Sequence, residues 1–317
     1  MKIVATFKPS DEIIIKTKTL YPEETFIFQE SINNAFDDIK DADVLLTFGE
    51  DLTAEIIDEA INLKWIMVVS AGLELMPLQA IKERDIIVTN ARGIHKIPMA
   101  EYTIFMMLQV VRQGKRIYEI QQQRKWERDF SHAMELYGKT LVIVGIGAIG
   151  SEIAKLAKAF SMKVIGVNKS GTPNEHVDEI YPINHLEHAL SQGDFIVSIL
   201  PSTEKTKHLF MDRHFDVMKR NAVFMNIGRG DVVKDATLIQ AIQDKKMAHA
   251  VVDVFEQEPL PANHPFWEME NVTVTPHISS RTNLYLPRAF EIFYHNLQVY
   301  KYASGEYSNL VDLNRGY

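Results

Sequence analysis

Leu141-Val-Ile-Val-Gly-Ile-Gly-Ala-Ile-Gly150, running on into Ser151-Glu-Ile-Ala-Lys-Leu-Ala-Lys158, decides how this chain is organised. Four β-favouring residues lead directly into Gly145-x-Gly147-x-x-Gly150, and a helical stretch follows without a break. Gly145 admits a tight turn, Gly147 lets a diphosphate approach the backbone, and Gly150 lets the helix pack on the strand. The unpaired N–H groups and positive dipole end of that helix then face the phosphate charge. Glycines also serve ordinary turns, so the spacing alone is weak evidence. Here a strand precedes it, and the helix is expected to place Ile149, Ile153, Leu156 and Phe160 on one face. A second short strand, Lys163–Val167, completes a β-α-β unit. Together these features point to dinucleotide binding, with Gly145, Gly147, Ala148, Ile149 and Gly150 at the phosphates.

On both sides of this unit, short apolar runs alternate with helical segments, the pattern of parallel β-α units. Before it, strands are expected at Ile3–Thr6, Thr25–Phe28, Val44–Thr47, Trp65–Val69 and Ile86–Thr89, with helices at Thr53–Ala60 and Leu75–Lys82. After it, strands are expected at Phe195–Ile199, Ala222–Asn226, Ala248–Val252 and Val272–Thr275, with a last helix around Leu286–Tyr302. The helix beginning near Pro98 is apolar over much of its surface, so it must be buried in the fold or in a subunit interface. The glycine loop sits in mid-chain, so a different domain precedes the nucleotide domain, and the cleft between them is the expected active site.

The 317 residues leave room for two domains of roughly 100–200 residues each. Hydrophobic residues make up 46% and charged residues 24%, a balance that suits a full core rather than disorder. The net charge of −8 argues against nucleic acid or an anionic membrane as partner. The absence of cysteine excludes disulfides, thiolate metal sites and a cysteine nucleophile, and no metal site is expected. Met1–Pro9 reads as a strand, and no apolar run approaches the ~20 residues of a membrane span. A cytoplasmic protein is the resulting expectation.

The chain resembles the D-isomer-specific 2-hydroxyacid dehydrogenases over almost its whole length. The resemblance is carried by Ser70-Ala-Gly72, Gly138–Gly150, Leu200-Pro-Ser-Thr-Glu-Lys-Thr206, Met225-Asn-Ile-Gly-Arg-Gly230, Asp253-Val-Phe-Glu-Gln-Glu-Pro-Leu260 and Thr275-Pro-His-Ile-Ser279. It implies an α/β protein of two doubly wound parallel-sheet domains: a Rossmann nucleotide-binding domain, residues 99–285, inserted in a flavodoxin-like substrate domain, residues 1–98 and 286–317. It also implies a homodimer held through the nucleotide-binding domain.

Reduction of a 2-keto acid needs a cation for carboxylate and carbonyl, a proton donor, and a group that tunes the donor. By position alone Arg229 reads as a solvated turn arginine. Matched to the family it becomes the substrate arginine, whose fixed fork can hold both oxygens. His277 is one of 11 histidines, most of which must be surface or packing residues. Its Pro-His-Ile-Ser setting matches the family's acid/base. Glu258 is then expected to bond the other imidazole nitrogen and raise its pKa, while Glu256 reads as a solvated loop carboxylate. Each of the three follows a strand of one parallel sheet, so they can converge. Backbone N–H groups of Ser70, Ala71 and Gly72 are expected to receive the substrate carboxylate, with His95 nearby. Leu73–Met76, His95, Tyr285 and, from a partner subunit, Trp126 are expected to shape the pocket.

The resemblance adds Leu200, Pro201, Thr206, Ile227, Gly228, Arg229, Asp253, His277 and Ser279 to the expected cofactor contacts. NAD-preferring sites carry an acidic residue about 20 positions past the glycines. This chain has Asn168-Lys-Ser170 there, with no carboxylate to repel a 2′-phosphate and a cation to attract one. NADP(H) is therefore the preferred cofactor, with NAD(H) possible. The alternative is that Asn168 only bonds the ribose and Lys169 points to water.

Reduction of glyoxylate or hydroxypyruvate is the expected role. A phosphoglycerate dehydrogenase is the alternative within the class, although the chain ends at Tyr317 without the regulatory domain of its longer forms. Formate dehydrogenase is disfavoured, because that family has glutamine where Glu258 stands. A non-catalytic nucleotide sensor of the same fold could have lost the triad, which this chain keeps.

Overall fold

A computed structural model describes residues 1–73 and 75–313. Glu74, inside the expected pocket stretch Leu73–Met76, and residues 314–317, at the end of the expected substrate domain, lie outside the described residues. The chain divides into two compact units, Met1–Ile94 with Thr282–Tyr317, and His95–Arg281. Each seam falls four residues earlier than expected (94 against 98, and 281 against 285), which assigns His95 to the second unit.

In the first unit β1 (Lys2–Ala5), β2 (Thr25–Phe28), β3 (Val44–Thr47), β4 (Trp65–Val68) and β5 (Ile87–Asn90) form one parallel sheet in the order β2-β1-β3-β4-β5. This is a flavodoxin-like order. The strands β3 and β4, Val-Leu-Leu-Thr and Trp-Ile-Met-Val, are buried at every position because both sheet faces are covered. One face packs on Phe290, Phe293 and Leu297 of the closing helix Tyr285–Tyr302. The other takes Ala35 and Ile39 of α2 (Ile32–Ile39), Ile57 of α3 (Ala54–Glu59) and Ile81 of α4 (Leu78–Glu83). The remaining helix, α1 (Asp11–Leu20), buries Ile13 and Thr17. Helix α4 starts three residues later than expected, because Pro77 stands at its N-cap and the backbone before it is not helical.

The second unit opens with α5 (Lys96–Val111) and α6 (Gly114–Gln122). A parallel sheet follows, made of β6 (Thr140–Val144), β7 (Lys163–Asn168), β8 (Glu179–Pro182), β9 (Phe195–Ser198), β10 (Val223–Asn226), β11 (His249–Val252) and β12 (Val272–Val274). Helices α7 (Ala148–Ala159), α8 (Leu186–Leu190), α9 (Asp212–Asp216) and α10 (Asp235–Gln243) connect the strands. The order β12-β11-β10-β9-β6-β7-β8 reverses between β6 and β9, the switch point at which doubly wound sheets bind nucleotides. Helix α7 buries Gly150, Ile153, Ala154 and Ala157, whereas Phe160 is 38% exposed. The expected face holds at Ile153, which is fully buried, and at Ile149 and Leu156, which pack partly buried against the same core. It fails at Phe160, which caps the helix, and Gly150, Ala154 and Ala157 complete the buried side.

Candidate active site

The turn after β6 has the geometry that its glycines imply. Gly145 sits at φ +107°, and a Cβ there would come within 2.6 Å of the Ile199 carbonyl. Gly147 is the N-cap of α7, and a Cβ built on it would meet nothing within 4 Å. The backbone at the helix N-terminus is thus open on the side a diphosphate needs. The residues present fit a dinucleotide.

At the end of β7, Asn168 closes its own loop. Its Oδ1 accepts the N–H of Ser170 at 3.0 Å, of Gly171 at 2.5 Å and of Thr172 at 3.2 Å. Its Nδ2 donates to the Thr172 carbonyl at 3.0 Å. The carboxamide is spent on the loop rather than held out for a ribose. What the loop presents outward is the exposed Lys169, beside the paired hydroxyls of Ser170 and Thr172 at 2.6 Å. Thr206 Oγ1 donates to the Pro201 carbonyl at 2.6 Å and so shapes the loop after β9 that starts at Leu200. Ile227 is 1% exposed and its N–H donates to Ser198, so its side chain belongs to the core.

Arg229, Glu258 and His277 follow β10, β11 and β12, three adjacent strands. Asn226, buried at the end of β10, donates from Nδ2 to the Arg229 carbonyl at 3.0 Å and fixes that turn. The Arg229 guanidinium reaches the Gly228 carbonyl at 3.0 Å. Gly230 lies so close to the chain after β11 that an added Cβ would sit 1.9 Å from the Phe255 carbonyl oxygen. Only glycine permits this approach, which draws the Arg229 turn against the segment leading to Glu258.

His277 Nδ1 and Glu258 Oε2 are 2.7 Å apart, and Glu258 Oε1 accepts the Phe255 N–H at 3.0 Å. The hydrogen bond to Glu258 holds the His277 pKa above its ordinary value. Burial and Arg229 oppose the shift, and the charges of Glu258 and Asp253 support it. For Glu258, burial pushes the carboxyl up, but the bonds to His277 and Phe255 and the charge of Arg229 outweigh it, and the pKa falls. The pair is therefore set for imidazolium beside carboxylate. Ring and carboxylate are about half and one-third exposed, 48% and 34%, so a small molecule can reach them.

Asp253, expected among the cofactor contacts, is fully buried and gives its carboxylate to the loop of residues 275–279. It accepts the Thr275 hydroxyl at 2.6 Å and the N–H groups of Ile278 at 2.9 Å and Ser279 at 3.0 Å, and its carbonyl accepts the His277 N–H at 2.9 Å. His95, at the N-cap of α5, is pushed down to about 4 by burial and by the charges of Arg229 and Arg281, so it is neutral near pH 7. Arg281 carried no motif that marked it in the sequence. Only the fold brings its charge to His95. Ser70, Ala71 and Gly72 follow β4 in the first unit, where Ser70 Oγ donates to the Phe48 carbonyl at 2.9 Å and Asn90 Nδ2 to the Ala71 carbonyl at 3.1 Å.

A glycine-turn dinucleotide sheet whose carboxyl edge holds a histidine–carboxylate pair beside an arginine suits a nicotinamide-dependent oxidoreductase. Residues 104–279 match the D-isomer specific 2-hydroxyacid dehydrogenase NAD-binding domain. A glyoxylate reductase of Thermofilum pendens is 34% identical over 82% of this chain and 78% of its own. A D-3-phosphoglycerate dehydrogenase of Methanocaldococcus jannaschii is 35% identical over 77% of this chain, which spans only 47% of that relative. The crystal structure of a D-isomer specific 2-hydroxyacid dehydrogenase family protein from Aeromonas salmonicida superposes with a TM-score of 0.88 at 32% identity, covering 98% of both chains. The chain belongs to the D-isomer specific 2-hydroxyacid dehydrogenase family, as an NAD(P)-dependent oxidoreductase.

Proposed function

We propose that this enzyme reduces small 2-keto acids of the glyoxylate and hydroxypyruvate type to D-2-hydroxy acids, with NADP(H) preferred and NAD(H) accepted. The 2.7 Å pairing of His277 with Glu258 carries the reading, because it keeps a protonated donor at the sheet edge. The bound nicotinamide supplies the hydride. Arg229 clamps the substrate carboxylate and polarises the carbonyl. His277 gives the proton to the nascent alkoxide, and Glu258 stabilises the imidazolium and holds its ring. Gly145, Gly147 and Gly150 hold the diphosphate, and Lys169 with Ser170 takes the 2′-phosphate.

Initial rates with glyoxylate, hydroxypyruvate, 3-phosphohydroxypyruvate and longer 2-keto acids, each with NADH and NADPH, test this directly. The highest kcat/KM should fall on the two small acids. A clear preference for the phosphorylated acid would instead favour a phosphoglycerate dehydrogenase, the second reading, which the Methanocaldococcus relative supports. A non-catalytic nucleotide sensor is disfavoured by the intact His277–Glu258 pair.

The second unit is also proposed to join a second copy of this chain. Helix α5 leaves Phe105 58% exposed, Tyr118 on α6 is 69% exposed, and Trp126 and Tyr137 stand at 92% and 74%. These segments belong together: the Met134 N–H bonds the Val111 carbonyl at 2.8 Å, and Arg116 on α6 pairs with Glu127. So much apolar surface on one region suits a self-complementary interface. Light scattering at micromolar concentration should give twice 36.3 kDa, and a monomer there would refute the contact.

A further inference from the structure

We propose that Tyr102 is a positioning residue for the acid/base His277, acting through Thr275 and Asp253. The proposal rests on the reading of His277 as the proton donor.

Tyr102 lies on α5, and its hydroxyl is 2.6 Å from Thr275 Oγ1, directly after β12. Thr275 Oγ1 is also 2.6 Å from Asp253 Oδ1. Thr275 Oγ1 is the donor in that bond, and a hydroxyl has one proton to give, so its single proton is spent. Tyr102 must then be the donor to Thr275. Burial, and the negative charge of Asp253, hold the phenol pKa above its ordinary value and so keep that proton in place.

This relay ends on the group that shapes the His277 loop. Asp253 gathers the N–H groups of His277, Ile278 and Ser279 through its carbonyl and carboxylate. His277 itself is held at φ +53°, a left-handed conformation that a residue with a Cβ adopts only when its surroundings impose it. Asp253 imposes it, and Tyr102 ties the Asp253–Thr275 pair to α5. A phenylalanine at 102 would fill the same space and leave the Thr275 hydroxyl free to turn away from the carboxylate. The Gly145–Gly150 turn takes no part in these bonds.

Glyoxylate reduction with NADPH by Tyr102→Phe, Thr275→Val and Thr275→Ser, each also made in a His277→Ala background, tests the proposal. Tyr102→Phe should lower kcat about three- to ten-fold, the range one neutral hydrogen bond supports, while KM for glyoxylate and Kd for NADPH move less than about two-fold. Thr275→Val should do the same, and Tyr102→Phe should add nothing to it, because both break one relay. Thr275→Ser should recover most of the lost rate. In the His277→Ala background the effect of Tyr102→Phe on residual turnover should vanish, whereas general loosening of the fold would lower the rate in both. Unchanged kcat in Tyr102→Phe, or an equal loss with and without His277, overturns the role of Tyr102. Full turnover in His277→Ala with a rate loss in Tyr102→Phe overturns the proposal at its base, the acid/base assignment.

Discussion

Glu258 Oε2 lies 2.7 Å from Nδ1 of His277, while the other Glu258 oxygen takes the Phe255 N–H at 3.0 Å. The carboxylate is anchored on one side and aimed on the other, so the imidazole is oriented as well as charged. Its pKa is raised, first by the bond to Glu258. A donor with a raised pKa is protonated below that pKa and loses its proton above it. Reduction should hold its rate at low pH and fall as pH rises through the His277 pKa. Glu258→Gln removes the main cause of the rise and leaves burial and Arg229 opposing the charge. The alkaline limb of the kcat profile should therefore move to lower pH in that variant. An unmoved limb would separate Glu258 from the titration of His277.

The Asn168 loop leads to a prediction about cofactor choice. Lys169 is exposed, so its contact with a 2′-phosphate should contribute roughly ten-fold in NADPH over NADH, weaker at high salt. Lys169→Ala should weaken NADPH binding by about that factor and leave NADH binding nearly unchanged. Asn168→Asp keeps the oxygen that accepts three N–H groups, loses the donor to the Thr172 carbonyl, and adds a charge that repels phosphate. It should move preference toward NADH. A wild-type preference for NADH of about ten-fold or more at fixed ionic strength would refute this part of the account.

His249 predicts how stability responds to acid. It opens β11, its Nε2 lies 2.9 Å from Thr273 Oγ1, and burial, aided by the charge of Lys115, pushes its pKa down to about 4. Unfolded, the same ring takes a proton near 6.5, so stability is complete above that value and is lost as pH falls toward 4. At pH 5 the loss should be on the order of 1–2 kcal/mol. His249→Gln has no such proton to gain, so its Tm should decline less than that of the wild type between pH 7 and 5. Parallel declines in calorimetry would assign the acid sensitivity to other groups.

The glycine turn was readable because a diphosphate turn constrains residue type at fixed spacing, and the strands beside it because burial on both faces demands unbroken apolar runs. Strand β8, Glu-Ile-Tyr-Pro, escaped the reading. It is an edge strand with every residue partly exposed, so it carries neither an apolar run nor a clean alternation. Helix α6 was also missed, since it begins at a glycine and buries none of its residues. Within the site, His277 and Glu258 stood out through their local motifs. The tie from Asp253 to residues 275–279 spans more than twenty positions and exists only after β11 and β12 pair. The same holds for the charge of Arg281 on His95, because no local pattern encodes a contact made by the tertiary fold.

The most direct test of the central claim is turnover by His277→Ala with saturating NADPH and glyoxylate, alongside NADPH binding to the same variant. If His277 is the proton donor, kcat should fall by on the order of 10²-fold or more. NADPH affinity should stay within a few-fold, because the glycine turn proposed to receive the diphosphate lies at another part of the sheet edge. Turnover at the wild-type rate in a correctly folded variant would contradict the assignment and the mechanism built on it.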